Sequence, residues 1–172
     1  NHIETAPVYG QAEEYLGKGL QNLSEERIVP QGGWIITSKI LPGIKLREGK
    51  KQLKEMLLRL GVGKIDNLAI HGINLEAHLE WAIKGEGAEL LKWAQKEGII
   101  CQTGFSSHGA PSLIEEAIRS RHFSFCSLHV HLLDQARVPL AKLALQEGMG
   151  VMAISPADKG GKLYLPSDIL KE

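Results

Sequence analysis

The feature that most constrains the fold is a regular alternation between short apolar runs rich in β-favouring residues and longer amphipathic segments. The apolar runs predict strands at His2–Thr5, Trp34–Lys39, Asn67–Ile70, Ile100–Phe105, Phe125–Leu128 and Gly150–Ile154. The amphipathic segments predict helices at Ala12–Asn22, Leu46–Leu60, Leu75–Ala82 with Ala88–Lys96, Ser112–Arg119 and Val138–Gln146. Strands that alternate with helices indicate βα units and a parallel sheet.

Two architectures fit this alternation, an open doubly wound sheet and a barrel. A dinucleotide-binding open sheet normally carries a GxGxxG turn after its first strand. Here the first strand is followed by Ala-Pro-Val-Tyr-Gly, so that fingerprint is absent from the sequence. Gly61, Gly98 and Gly148 each fall just after a helical segment, as C-terminal caps do.

Composition limits the class of protein. The chain has 172 residues, of which 43% are hydrophobic and 23% charged, which is typical of one globular domain. Lys plus Arg and Asp plus Glu each number 20, so no basic excess points to nucleic acid. No apolar run reaches membrane-spanning length. Two isolated cysteines, Cys101 and Cys126, argue against a disulfide framework and favour a reducing, cytoplasmic location.

Polar groups with complementary chemistry stand at the ends of the first three predicted strands. Glu4 lies at the end of the first strand and Tyr9 follows it, while Lys39 and His71 stand at the ends of the second and third strands. The carboxyl ends of parallel strands converge on one face, where sites are built. A phenol has an ordinary pKa of about 10, and a nearby ammonium stabilises its phenolate form. The set predicts general acid catalysis on a carbonyl oxygen.

Each of these residues also has a structural interpretation. Tyr9 could cap the core with its hydroxyl in water, and Lys39 with Glu4 could form a structural ion pair. His71 could be a loop histidine with satisfied hydrogen bonds. Taken singly, these interpretations are favoured, but the joint occurrence at successive strand ends favours catalysis.

Several motifs carry a resemblance to the aldo/keto reductase superfamily, which are NADPH-dependent oxidoreductases built on a (β/α)8 TIM barrel. The family's Asp-Thr-Ala-x-x-Tyr-Gly motif resembles Glu4–Gly10, and its lysine strand resembles Ile35–Lys39. The run into its histidine resembles Arg59–Gly72, and its Gly-x-Ser-Asn marker resembles Gly104–Ser107. Its nucleotide-contacting turn resembles Gly150–Pro156.

The resemblance implies a reaction and a cofactor. Tyr9 would donate the proton, and Lys39 together with Glu4 would tune the acidity of Tyr9. His71 would orient the carbonyl of a small aldehyde or ketone. NADPH is the implied cofactor, with NADH left open. Its implied contacts are Ser106, Ser107, Ser127 and Ser155.

The chain also departs from the family pattern. Glu4 stands where the family has an aspartate, and Ser107 stands where it has an asparagine. Ser127 stands in place of the usual glutamine or asparagine, and Ile154 stands where an aromatic residue often stacks on the nicotinamide. These changes keep an alternative open, a non-enzymatic nucleotide-binding regulatory module on the same barrel. Residues 155–162 resemble a subgroup that often carries a C-terminal ferredoxin-like iron–sulfur extension, which is absent from this sequence.

Matched to the barrel, the sequence runs from about the second strand to the seventh. We therefore expect residues 1–172 to form a single incomplete barrel domain that lacks the first and last βα units. Six of eight strands leave two open edges, so marginal stability and loss of activity are expected for the isolated chain. The sequence leaves oligomeric state open.

Two further motifs suggest ligands. His129, His131 and Asp134 suggest a metal, and a metal-dependent hydrolase on a barrel is the third functional hypothesis. No third ligand stands at a convincing spacing, so the sequence predicts no metal site. The Lys159–Lys162 segment, Lys-Gly-Gly-Lys, is equally consistent with a phosphate contact and a solvated loop.

Overall fold

The structure is a computed structural model that describes residues 1–131, 134–157 and 168. The Lys159–Lys162 segment therefore lies outside the described residues. Strands and helices alternate along the chain, with two helices after the third strand. The elements are β1 (His2–Glu4), α1 (Ala12–Glu25), β2 (Ile35–Ile40), α2 (Leu46–Leu60), β3 (Ile65–His71), α3 (Glu76–Ile83), α4 (Glu86–Lys96), β4 (Ile100–Ser107), α5 (Pro111–Arg119), β5 (Phe125–His129), α6 (Val138–Gln146) and β6 (Gly150–Ile154).

The strands form one parallel sheet whose spatial order, β1 to β6, follows the sequence order. A doubly wound sheet reverses its strand order at a switch point, and no reversal occurs in this sheet. The sheet curls into a half-barrel with helices outside, an incomplete (β/α) barrel. The predicted fold class is confirmed.

The helices form where the sequence places an apolar stripe at helical spacing. In α2, Leu53, Met56 and Leu60 are fully buried against the outer face of the sheet. Gly61 ends this helix with a left-handed φ of 64°, and its N–H donates to the carbonyl of Leu58. Gly98 and Gly148 also have positive φ angles, which confirms the predicted helix ends.

Several strands extend beyond their predicted ends. β3 continues to His71, β4 to Ser107 and β5 to His129. Each predicted strand ended where its apolar run ended, but backbone pairing with a neighbouring strand does not require apolar side chains. His71 pairs with Ser106, and Ser106 pairs with Ser127. The polar residues at these strand ends are therefore held in the regular geometry of the sheet.

Strand register sorts the inward-facing side chains into layers. One layer contains Lys39, Ala69 and Gly104, and the next, toward the carboxyl ends, contains His71, Ser106, Ser127 and Met152. Paired residues on neighbouring strands point to the same side of a sheet, and alternate residues along a strand share a face. The polar strand ends therefore line one end of the half-barrel.

Candidate active site

Lys39 occupies the centre of this end of the half-barrel. Its side chain is only 2% exposed. Its neighbour on β3 in the same layer is the small Ala69, which leaves space for the long side chain. The ammonium donates hydrogen bonds to the Glu4 carboxylate, to the Tyr9 hydroxyl at 3.2 Å and to the Thr5 carbonyl at 3.4 Å. Three donors meet three acceptors, so the buried charge is both paired and fully hydrogen-bonded.

Tyr9 reaches the ammonium from the loop that follows β1. A turn closes this loop, in which the Tyr9 N–H donates to the Ala6 carbonyl at 3.0 Å. Gly10 follows with a φ of 62°, a conformation that suits glycine. The Tyr9 side chain remains 50% exposed although its hydroxyl contacts a buried group. The phenol is therefore open to a ligand on one side and anchored on the other.

A second buried charge holds α1, and hence the Tyr9 loop, against β2. Glu13 is 2% exposed and accepts a hydrogen bond from the Ser38 hydroxyl at 2.8 Å. Its other oxygen pairs with the Arg59 guanidinium of α2 at 2.7 Å. Ser38 directly precedes Lys39, so this network joins the helix after Tyr9 to the strand that carries the lysine.

His71 lies beside Tyr9, with ring centroids 5.8 Å apart in an edge-on arrangement. The pKa of His71 is lowered from its ordinary 6.5, first by burial and then by the positive charge of Lys39. His108 lowers the pKa further and Glu4 opposes both. The imidazole is therefore neutral near pH 7 and can donate one hydrogen bond through its N–H.

These groups share one open cleft of about 630 Å³. Side chains from both ends of the strand order line it, Glu4 at the end of β1 and Met152 on β6, which reflects the curl of the sheet. Asn74 and His108 line it too. The structure thus brings Glu4, Tyr9, Lys39 and His71 together as the sequence predicts; their catalytic roles remain a prediction.

Two serines face this cleft or lie just beneath it. Ser106 lines the cleft, and its hydroxyl accepts the Gly72 N–H at 3.1 Å. Ser127 is fully buried in the same layer, and its hydroxyl has no hydrogen-bond partner among the described residues. An unpartnered buried hydroxyl costs free energy, and a polar ligand in the cleft would relieve that cost. The residues present therefore fit an amide-bearing cofactor.

Ser107 and Ser155 have different surroundings. Ser107 lies on the opposite face of β4, where its hydroxyl donates to the Ile73 carbonyl at 2.5 Å and accepts the Gly109 N–H at 3.0 Å. Ser155 follows β6, lines the cleft and has a φ of 53°, which is uncommon outside glycine. Ser107 is thus occupied by backbone groups, and Ser155 borders the cleft.

Sequence analysis overlooked two cleft residues, Asn74 and His108. The Asn74 side-chain oxygen accepts the His108 N–H at 2.8 Å, which joins the loop after β3 to the loop after β4. Both residues follow strand ends within four positions, and that placement was the available signal. Tertiary contact between loops, which sets their position, has no local signature in the sequence.

The described part of the chain contains no helix long and apolar enough to cross a membrane.

Both cysteines are free, and burial raises the pKa of the Cys126 thiol to about 12, as befits a core residue. This agrees with the prediction that the cysteines form no disulfide.

Solved structures with similar folds are aldo-keto reductases. A putative aldo-keto reductase from Pseudomonas aeruginosa, PA4992, aligns with a TM-score of 0.70 and 24% identity, over 88% of this chain and 58% of that one. The Bombyx mori enzyme AKR2E4, solved in complex with NADP, aligns with a TM-score of 0.72 and 23% identity, over 90% of this chain and 51% of that one. The apo form of AKR11C1 from Bacillus halodurans aligns with a TM-score of 0.66 and 24% identity, over 88% of this chain and 48% of that one.

The chain spans roughly half to three fifths of the length of these structures. No curated protein matches the sequence. The sequence model of the Aldo/keto reductase family matches residues 1–163, nearly the whole chain, and the chain belongs to that family.

Proposed function

We propose that this chain is the catalytic core of an NADPH-dependent oxidoreductase that reduces an aldehyde or ketone to an alcohol. The observation that carries the proposal is the Tyr9 hydroxyl, which is open to the cleft and hydrogen-bonded to the buried Lys39 ammonium. When bound, NADPH supplies a hydride to the carbonyl carbon. The protein must then supply a proton to the carbonyl oxygen, which is developing negative charge.

Tyr9 is the proton donor in this proposal. Tyr9 lines the cleft and is half exposed, so a carbonyl oxygen bound there can accept the proton of its hydroxyl. As the proton leaves, negative charge develops on the phenol oxygen, 3.2 Å from the Lys39 ammonium. Charge stabilisation of this kind is strong because the ammonium is shielded from water.

Glu4 holds the Lys39 ammonium in place through a direct ion pair. Without this carboxylate, the buried charge would have no ionic partner among its hydrogen-bonding groups. Glu4 is 22% exposed, and the Lys39 charge is 2% exposed, so the pair is partly screened from water. The extra methylene of glutamate, compared with the family's aspartate, still allows direct contact with the ammonium.

His71 orients the carbonyl. A neutral imidazole near pH 7 can donate to the same oxygen that accepts the Tyr9 proton, and the pKa of His71 is lowered mainly by burial. Two donors directed at one oxygen define the position of the carbonyl carbon and exclude competing orientations. Protonated His71 would add positive charge beside Lys39, which the site disfavours.

The serines complete the cofactor site. In this proposal Ser106 and Ser127 hydrogen-bond the cofactor's amide group, and Ser155, which borders the cleft, contacts its phosphates. Because its hydroxyl already has backbone partners, Ser107 would act by holding the loop after β4. We propose NADPH as the cofactor of this scheme, with NADH as a competing cofactor. We also propose that the chain forms one barrel domain that lacks its first and last βα units.

Deuterium transfer tests the proposed reaction directly. The barrel is completed with first and last βα units, then incubated with an aldehyde and NADPH deuterated at the reactive C4 position. The proposal predicts deuterium on the carbinol carbon of the alcohol. Binding of NADPH without deuterium transfer across an aldehyde and ketone panel would contradict it and favour the regulatory nucleotide-binding module.

A further inference from the structure

At the end of β5 and in the segment that follows it, two histidines and an aspartate converge beside the candidate active site. His129 and His131 stand two residues apart, and Asp134 follows three residues later. One potential ligand atom from each of these residues lies within 4.8 Å of the others. The sequence analysis discounted this group because of the spacing of its third member, but the fold brings Asp134 close to the two histidines.

Backbone contacts fix this arrangement. The His131 N–H donates to the Asp134 carbonyl at 3.3 Å, and the Asp134 N–H donates to the His131 carbonyl at 3.1 Å. This reciprocal pair holds the two residues opposite one another. His129, the last residue of β5, is 8% exposed, and its Nδ1 lies 3.8 Å from the Asp134 carboxylate. The His129 and His131 rings lie 4.8 Å apart.

We propose that His129, His131 and Asp134 bind a divalent transition-metal ion, for which Zn²⁺ is the best match. Two imidazole nitrogens and one carboxylate oxygen form a ligand set that Zn²⁺ accepts, with water or a small anion in the fourth position. In a tetrahedral site with bonds of about 2.0 Å, ligand atoms lie about 3.3 Å apart. Small side-chain rotations close the observed spacing to that value.

A second shell around the aspartate is already present. The Asp134 carboxylate accepts the Ala136 N–H at 3.1 Å and a hydrogen bond from Arg137 at 3.3 Å. Such contacts orient a ligating carboxylate. The Arg137 charge also opposes a cation, so the affinity should be moderate and sensitive to the charge of Asp134. The His108 ring, which lines the cleft, lies edge-on to His129 with centroids 5.6 Å apart, so the metal site adjoins the active-site cleft.

Calorimetric titration of the purified chain with ZnCl₂ tests the proposal, with Co²⁺ absorption as a second readout of coordination geometry. The native chain should bind one Zn²⁺, rise in melting temperature with added Zn²⁺, and give an intense tetrahedral Co²⁺ spectrum. His131→Gln and the isosteric Asp134→Asn should each lower the affinity by about tenfold or more. His122→Gln, at an exposed histidine elsewhere, is the matched control and should bind as the native chain does.

The results of these titrations distinguish one specific metal site from nonspecific binding of Zn²⁺ at the surface. Loss of the Co²⁺ spectrum and of Zn²⁺ stabilisation in both Asp134→Asn and His131→Gln, with the control unaffected, supports the proposal. Zn²⁺ affinity equal in the native chain, Asp134→Asn and His131→Gln would overturn it, as would absence of saturable one-to-one binding in the folded native chain. Neither result depends on carbonyl reduction, so the proposed function is tested separately.

Discussion

The Lys39 ammonium donates a hydrogen bond to the Tyr9 hydroxyl at 3.2 Å although Lys39 is almost fully buried and Tyr9 is half exposed. A buried charge thus contacts a group that is open to ligand. The ion pair with Glu4 and a bond to the Thr5 carbonyl hold the charge in place. The proposed chemistry depends on this relationship, because the phenol can lose a proton only if the charge left behind is stabilised.

Removal of the lysine charge should destabilise the fold as well as stop the reaction. Lys39→Met leaves the Glu4 carboxylate partly buried without its partner, and should lower the free energy of unfolding by about 2 to 3 kcal/mol. Urea denaturation measures this change. The double substitution Lys39→Met with Glu4→Gln should recover part of the loss, since no unpaired charge remains.

Lys45→Met is the matched control for that experiment. Lys45 also pairs with a glutamate, Glu86, but its side chain is 83% exposed. Its loss should change the free energy of unfolding by less than about 0.5 kcal/mol. Equal effects of Lys39→Met and Lys45→Met would contradict the stabilising ion pair assigned to Lys39.

His71 should make stability depend on pH. The folded state lowers the pKa of His71 below 6.5, chiefly through burial, so the unfolded chain binds this proton more readily. Stability from His71 is therefore fully present above about pH 7 and is lost as the pH falls through 6.5 toward the lower folded value. His71→Gln should flatten the loss of melting temperature between about pH 7 and pH 5.

The comparison variant is His122→Gln, at an exposed position in the connection between α5 and β5. It should keep the native slope of melting temperature against pH. A native slope in His71→Gln as well would mean that burial of His71 does not disfavour its charged form.

Two glycines of α1 should respond oppositely to alanine. A Cβ at Gly17 would lie 2.2 Å from the Arg59 carbonyl oxygen, so α1 and α2 must separate. Gly17→Ala should cost about 1 to 3 kcal/mol of stability. A Cβ at Gly19 meets no atom within 4 Å, and Gly19→Ala should stabilise the helix by about 0.5 to 1 kcal/mol. Thermal or urea unfolding of both variants checks the signs; a stabilising Gly17→Ala would contradict the close helix packing.

The sequence predicted the repeating elements well because barrel strands and helices have strong local patterns. The fully buried positions Leu53, Met56 and Leu60 recur at helical spacing, so α2 was predicted with its observed ends. Strand ends were placed too early because His71 and His129 are polar. Their strand geometry comes from pairing with neighbouring strands, which no local pattern records.

The candidate site was predictable in part for the same reason. Glu4, Lys39 and His71 lie at the carboxyl ends of three strands of one parallel sheet, and Tyr9 follows the first of them, so the topology brings the four residues together. The convergence of Asp134 on His129 and His131, and the contact between Asn74 and His108, depend on loop conformation. Loop conformation reflects contacts between distant segments, so the sequence analysis discounted the first cluster and missed the second contact.

The central claim is that Tyr9 donates the proton to a carbonyl oxygen. The most direct test is aldehyde-dependent NADPH oxidation by the completed barrel carrying Tyr9→Phe, with NADPH affinity measured in parallel. Tyr15→Phe is the matched control, since Tyr15 is an exposed residue of α1 whose hydroxyl donates to the side chain of Gln11. We predict that Tyr9→Phe lowers kcat by about a hundredfold or more while NADPH affinity is retained. Native turnover in Tyr9→Phe would contradict the account.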